Sequence, residues 1–284
     1  MFRHKLLNLL LFVILLSLAT TIYFSEDTDN RLPLLTDVDP GSISSISIQH
    51  NDRRTHISRQ ADDHWQITQP INIAANNFRI SSILKLLNAP VHNRYALDEI
   101  DLDKIGLKEP QTTVQLDAYN IAFGKTNPAT NLRFVRLDDA VYTIEDVYYP
   151  LLTSFFGTLV SLNLLPPGSE IEKLILLNQT IARDDQGRWQ SNIDITADNM
   201  VNTIQRWQTQ QAFGIHQYMQ RKPLGEVFIY LQGREQPIDF VVTDTDPWLI
   251  IARPELGLEY HLDIENYKPL LSPDGSDEAP ATEN

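Results

Sequence analysis

The chain has 284 residues, with 23 Lys plus Arg against 37 Asp plus Glu, a formal net charge of -14 and a pI of about 4.8. That acidity excludes a nucleic-acid binder, which needs a basic footprint. The absence of cysteine excludes disulfides, thiolate zinc sites, a Cys nucleophile and a lipoprotein anchor.

In chain order, Arg3, His4 and Lys5 come first, and the run from Leu6 to Phe24 carries no charged residue before Glu26, Asp27 and Asp29. At ~1.5 Å per residue this run nearly matches the ~30 Å hydrocarbon core of a bilayer. Basic before and acidic after, it predicts a single-pass inner-membrane helix with a cytoplasmic N-terminus and a periplasmic bulk. A cleaved signal peptide, processed at Ser17-Leu18-Ala19, is the competing reading. The continuation through Ile22, Tyr23 and Phe24 favours the uncleaved anchor. Without Arg3 and Lys5 the remainder carries 21 − 37 = −16. Anionic head groups repel it, so membrane contact is expected through the helix alone.

After a linker over 25–42, an internal repeat is the main signal. Ile43, Ile46 and Ile48 open one unit, and Ile171, Leu174 and Leu176 open another. Trp65 follows an Asp-Asp turn in the first, Trp189 in the second. Tyr142 and Ile144 before Tyr149-Pro150-Leu151-Leu152 match Tyr260 and Leu262 before Tyr267-Lys268-Pro269-Leu270-Leu271. The units are placed at 43–165 and 171–271, separated by the breaker cluster 166–170. An acidic tail, 272–284, is expected to be disordered.

Within each unit, alternation over 43–48 and β-branched 55–58 predict a hairpin turning at His50-Asn51-Asp52. Ile80, Ile83, Leu84 and Leu87 predict a helix, as do Met200, Ile204 and Trp207, with Asn77 and Asp198 as the N-caps. Strands are predicted at 112–116, 121–123, 132–137 and 141–144, with counterparts at 226–231, 238–242, 249–252 and 259–262. The fold class is α+β: an N-terminal transmembrane helix, then two pseudo-repeated domains of mostly antiparallel sheet with a few helices.

Trp65-x-Ile67-x-x-Pro70, Ala75 and Leu86-Leu87 form a pattern that continues in Gly106-Leu107-x-x-Pro110, Phe123-Gly124, Arg133-Phe134-Val135 and Val141-Tyr142-x-Ile144. It resembles the bacterial domain-of-unknown-function family numbered 4340, over roughly 43–271 and most closely in the first unit. The resemblance implies a membrane anchor, an exported α+β region and, for some members, association with ABC-type export systems. It brings no catalytic residues. The second unit departs from it, with Phe240-Val241 aligned to Phe123-Gly124.

No motif supports catalysis, a cofactor or a metal. Gly124-Lys125-Thr126 imitates a phosphate loop, but Tyr119 stands where its first glycine belongs. Asp101-x-Asp103 with Gly106 imitates a calcium loop with Ile105 and Thr112 at liganding positions, and reads as a solvated acidic turn. His216 and His261 read as ordinary polar or half-buried positions. Trp65 and Trp189 read as equivalent core positions. Trp248, Tyr148, Phe155 and Phe156 are the candidate ligand or partner surface, the last two in an apolar stretch at the unit boundary that reads as an interface helix or a partner patch. The expected function is a non-enzymatic, membrane-anchored periplasmic binding or scaffold subunit of an envelope complex, with an accessory of an ABC-type export system as its specific form. The alternatives are a carboxylate-dependent hydrolase of envelope polysaccharide or peptide, and a small-ligand receptor with its site between the repeats.

Overall fold

The computed structural model describes residues 12–20 and 32–273. Residues 12–20 are helical and exposed, and among the described residues no helix is long and apolar enough to cross a membrane. The rest of the expected anchor (6–11 and 21–24), the basic start 1–5, linker residues 25–31 and tail residues 274–284 lie outside the described residues.

Alternation places one face of each strand in the core. In the first unit the strands are β1 (Ser45–His50), β2 (Arg53–Arg59), β3 (Trp65–Gln69), β4 (Ile73–Ala74), β5 (Asn93–Ala96), β6 (Thr112–Leu116), β7 (Tyr119–Thr126), β8 (Leu132–Leu137) and β9 (Ala140–Glu145). They form an antiparallel sheet in the order β4-β3-β2-β1-β6-β7-β8-β9-β5. The second unit contributes β10 (Ile171–Ile175), β11 (Thr180–Arg183), β12 (Trp189–Ser191), β13 (Gly214–Gln217), β14 (Gly225–Leu231), β15 (Ile238–Asp244), β16 (Trp248–Arg253) and β17 (Leu258–Asp263). Their order is β12-β11-β10-β14-β15-β16-β17-β13, the first sheet again without a β4. The repeat seen in the sequence is thus a repeat of topology.

One core runs through both units. Helix Asn77–Leu84 buries Ile80, Ile83 and Leu84, and helix Ala197–Thr209 buries Met200, Ile204 and Trp207. Each helix is capped earlier than expected. Asn76, not Asn77, accepts from Phe78 and Arg79, and Thr196, not Asp198, accepts from Asn199. Both true caps are in extended backbone, whereas Asn77 and Asp198 are already helical. A carboxylate in the first turn still favours the helix dipole.

Strand register also corrects the alignment of the units. Phe123 pairs with Thr112 and Val135, and the residue in that place in the second sheet is Val242, between Gly225 and Ile251. Phe240 corresponds to Ile121 instead. A slip of two residues keeps the same face buried, so alternation alone does not reveal it.

The outer faces of the two sheets differ. In the first unit the connection 97–111 folds back so that Ile100, Leu102, Ile105 and Leu107 cover Ala122, Phe134 and Val141. Gly106 makes the turn at φ 73°, and a Cβ on Gly124 would lie 2.5 Å from the Ile105 carbonyl oxygen. Arg133 forks onto Asp146 at 2.6 and 2.8 Å, lies 3.5 Å over the Tyr149 ring and donates to the Gly124 carbonyl. In the second unit the corresponding connection spans only 218–224, and the position of Val141 is taken by Glu259.

The stretch at the unit boundary is not a long helix. A short 3-10 turn, Phe156–Leu159, is followed by extended chain that pairs with both units. Asn76 N donates to the Leu159 carbonyl and Ser161 N to that of Ala74. Ala212 N then donates to Leu162 and Leu164 N to Gln210. One strand-like segment therefore ties the edge of the first sheet to the second unit.

Candidate functional site

A groove of about 1920 Å³ lies between the units along that segment. Trp65 and the first turn of helix Asn77–Leu84, with Phe78 and Arg79, form one wall; Arg234, Asp239, Arg253 and Glu255 form the other; residues 161–168 make the floor. Trp65 is held by Arg59, its cross-strand partner, whose guanidinium stands 4.9 Å from the ring. The second unit repeats the device with Arg183 and Trp189 at 4.8 Å. Trp65 is buried and Trp189 half-buried, so the matched pair is packing material, with one edge of Trp65 reaching the groove.

The charges of the groove divide into held and free. Arg253 is fixed by Glu255 at 2.8 Å. Arg79 and Arg234 are exposed, one on each wall, and engage in no ion pair among the described residues. Burial, and then the charge of Glu255, push the Asp239 carboxyl up, against the pull of Arg253. The groove can thus grip an extended polar or anionic chain by two guanidinium groups, with aromatic surface alongside.

A second cluster occupies the outer face of the second sheet. Glu259 is buried and accepts from Arg221 at 2.9 Å, the Met219 amide at 3.0 Å and His261 at 3.0 Å. Burial alone would raise its carboxyl, but the hydrogen bonds from His261, Met219 and Arg221 outweigh it and leave the group below its ordinary 4.5. His216 packs against His261 with ring centroids 4.3 Å apart and the planes tilted by 45°, and its imidazole is lowered by burial and then by that neighbour. Phe213 and Trp248 adjoin this cluster with ring centroids 5.1 Å apart, and both are exposed.

The four aromatic residues expected to form a binding surface fall in three places, none of them in the groove lining. Trp248 joins Phe213. Tyr148 is half-buried in a separate hollow of about 240 Å³ beside Ser82, Ile83 and Leu151, and burial raises its phenol. Phe155 and Phe156 pack on each other at 4.6 Å within the junction, partly buried against the core. Gly157 leaves room for the Phe155 ring and for Leu258 of the second unit. The acidic turn at Asp101 is as expected: its carboxylate accepts from the amides of Asp103 and Lys104 and pairs with the Lys104 side chain at 3.3 Å. Sequence reasoning missed Arg79, Arg234 and Arg253, whose only signal is being cations in an acidic chain.

Fold and groove together define a two-unit α+β protein of repeated antiparallel sheets with a groove between them. Residues 65–202 match the family model described as Domain of unknown function (DUF4340), the family that the sequence pattern resembles. No curated protein and no solved structure matches the chain. Three residues of the sequence pattern, Gly106, Leu107 and Gly124, serve the close seating of the 97–111 connection on its sheet, and Arg133 ties the Gly124 carbonyl to Asp146.

Proposed function

We infer that this chain is a membrane-anchored, periplasmic, non-enzymatic binding subunit of an envelope complex, and that it holds its partner in the groove between its units. The observation that carries the reading is a groove walled by both repeats over a segment hydrogen-bonded to each, which keeps the walls in fixed relation. Its volume exceeds the ~300–1,000 Å³ of ordinary small-molecule pockets and suits an extended segment of a partner. The charge-free run from Leu6 to Phe24 between basic and acidic flanks supports the anchor. The family resemblance makes an ABC-type transporter the partner to test first.

Charge reversal of the free guanidinium groups tests this reading. Arg79→Glu with Arg234→Glu is expected to lower recovery of co-purified envelope protein from gently solubilised membranes by about tenfold or more. Both residues are exposed, so the unfolding midpoint should hold. Unchanged recovery would refute the reading. Turnover of an envelope glycan or peptide by the wild type, lost in Asp239→Asn, would replace it with the hydrolase.

A further inference from the structure

In the first unit the outer edge of the sheet is closed by the chain itself. Leu159 and Val160 are buried there, with Asn76 N and the Ala74 carbonyl paired to Leu159 and Ser161 at 2.7 and 2.9 Å. The edge residues read Asn72-Ile73-Ala74-Ala75-Asn76, ending in a helix N-cap. The second unit has the same run, Asn192-Ile193-Asp194-Ile195-Thr196, also ending in an N-cap. There β12 is the last strand of its sheet, and residues 193–196 form no strand. Among the described residues nothing pairs with the Thr196 N–H or the Asp194 carbonyl, the counterparts of the two groups used in the first unit. Ile193 and Ile195 are half-buried beside this edge.

The chain's own counterpart of the closing segment differs in chemistry. Tyr149 and Tyr267 differ by 267 − 149 = 118, and the same offset carries Gly157 to Gly275 and Leu159-Val160 to Asp277-Glu278. In sequence, then, the second unit has two acidic residues where the first has its aliphatic pair.

We propose that the edge at residues 194–196 is a docking site for an extended strand of a partner protein that carries adjacent aliphatic residues flanked by basic ones. The strand adds to the second unit as residues 159–161 add to the first, through the Thr196 N–H and the Asp194 carbonyl. Its aliphatic pair packs beside Ile193 and Ile195, and its basic flanks meet the exposed carboxylates of Asp194 and Asp198.

The hexapeptide Lys-Thr-Leu-Val-Ser-Lys, built on the first unit's own segment, is the probe, titrated against the full chain in mild detergent. Saturable binding is expected, with hydrogen-exchange protection gained at residues 194–196. Thr196→Pro removes the N–H at a φ of −70° that proline tolerates, and should weaken binding about tenfold or more. Thr196→Ala loses the cap but keeps the N–H, and should stay within about threefold of wild type. A control peptide with Asp-Glu in place of Leu-Val should not bind. The proposal fails if nothing saturates by about 1 mM, if Thr196→Pro binds like wild type, or if protection appears elsewhere. It also fails if removing residues 274–284 exposes the edge, which would make the tail the occupant. Self-association abolished by Thr196→Pro would assign the edge to a second copy and overturn it too.

Discussion

Glu259→Ala is expected to destabilise the protein by about 2–4 kcal/mol at neutral pH, measured by chemical denaturation. Removing one member of a buried ion pair typically costs ~3–5 kcal/mol, because the other charge is left without a partner. Arg221 is 27% exposed and recovers part of its hydration, which lowers the figure. The Met219 amide and His261 also lose their acceptor. The depressed carboxyl fixes the sign with pH. A group lowered on folding contributes fully above its ordinary value of 4.5 and loses that contribution as pH falls through the folded one, so the gap between wild type and variant should close in acid. The first unit indicates a rescue, since Val141 occupies the same place there under an apolar connection. Glu259→Val with Arg221→Leu should recover stability to within about 1 kcal/mol of wild type. A loss under about 0.5 kcal/mol in Glu259→Ala would show that the cluster does not hold the 218–224 connection.

Trp207→Ala should cost about 3–5 kcal/mol, the range for truncating a large buried aromatic. Trp207 is fully buried, packs on Phe240 at 5.4 Å and donates its indole N–H to the Leu270 carbonyl at 3.0 Å. It therefore joins helix Ala197–Thr209 both to the sheet and to helix Tyr267–Leu271. Trp207→Phe keeps much of the packing but leaves the Leu270 carbonyl unpaired, and about 1–3 kcal/mol is expected. Trp248→Ala, in the exposed patch, should cost under about 1 kcal/mol. Equal losses at Trp207 and Trp248 would contradict the assignment of core and surface.

Most of the fold was legible where a strand or helix has its own pattern. Thr112–Leu116 alternates in burial over its whole length and Leu132–Leu137 over its second half, and the structure forms strands with those bounds. The edge strands Asn93–Ala96 and Gly214–Gln217 were not legible. They are four residues long with mixed polarity, and exist because β9 and β17 offer them a ladder. The matched tryptophans were visible, and Arg59 and Arg183 share their offset of 124, but a cross-strand pair needs the register before it has meaning. The groove was hidden for a different reason. Arg79 and Arg234 are 155 positions apart (234 − 79), and only the docking of the units through residues 159–164 brings them to one cleft. The aromatics were visible as large side chains, but their burial is set by neighbours: Phe155 and Phe156 face the junction, while Phe213 stands exposed beside Trp248.

The groove is the centre of this account, and site-specific photo-cross-linking in intact cells tests it most directly. A photoreactive residue at Phe78 or Gln236, both in the groove lining, should capture one discrete envelope protein, whereas one at Trp248 on the outer face should not. Capture from Trp248 with none from Phe78 or Gln236 would place the partner on the other face and contradict the account.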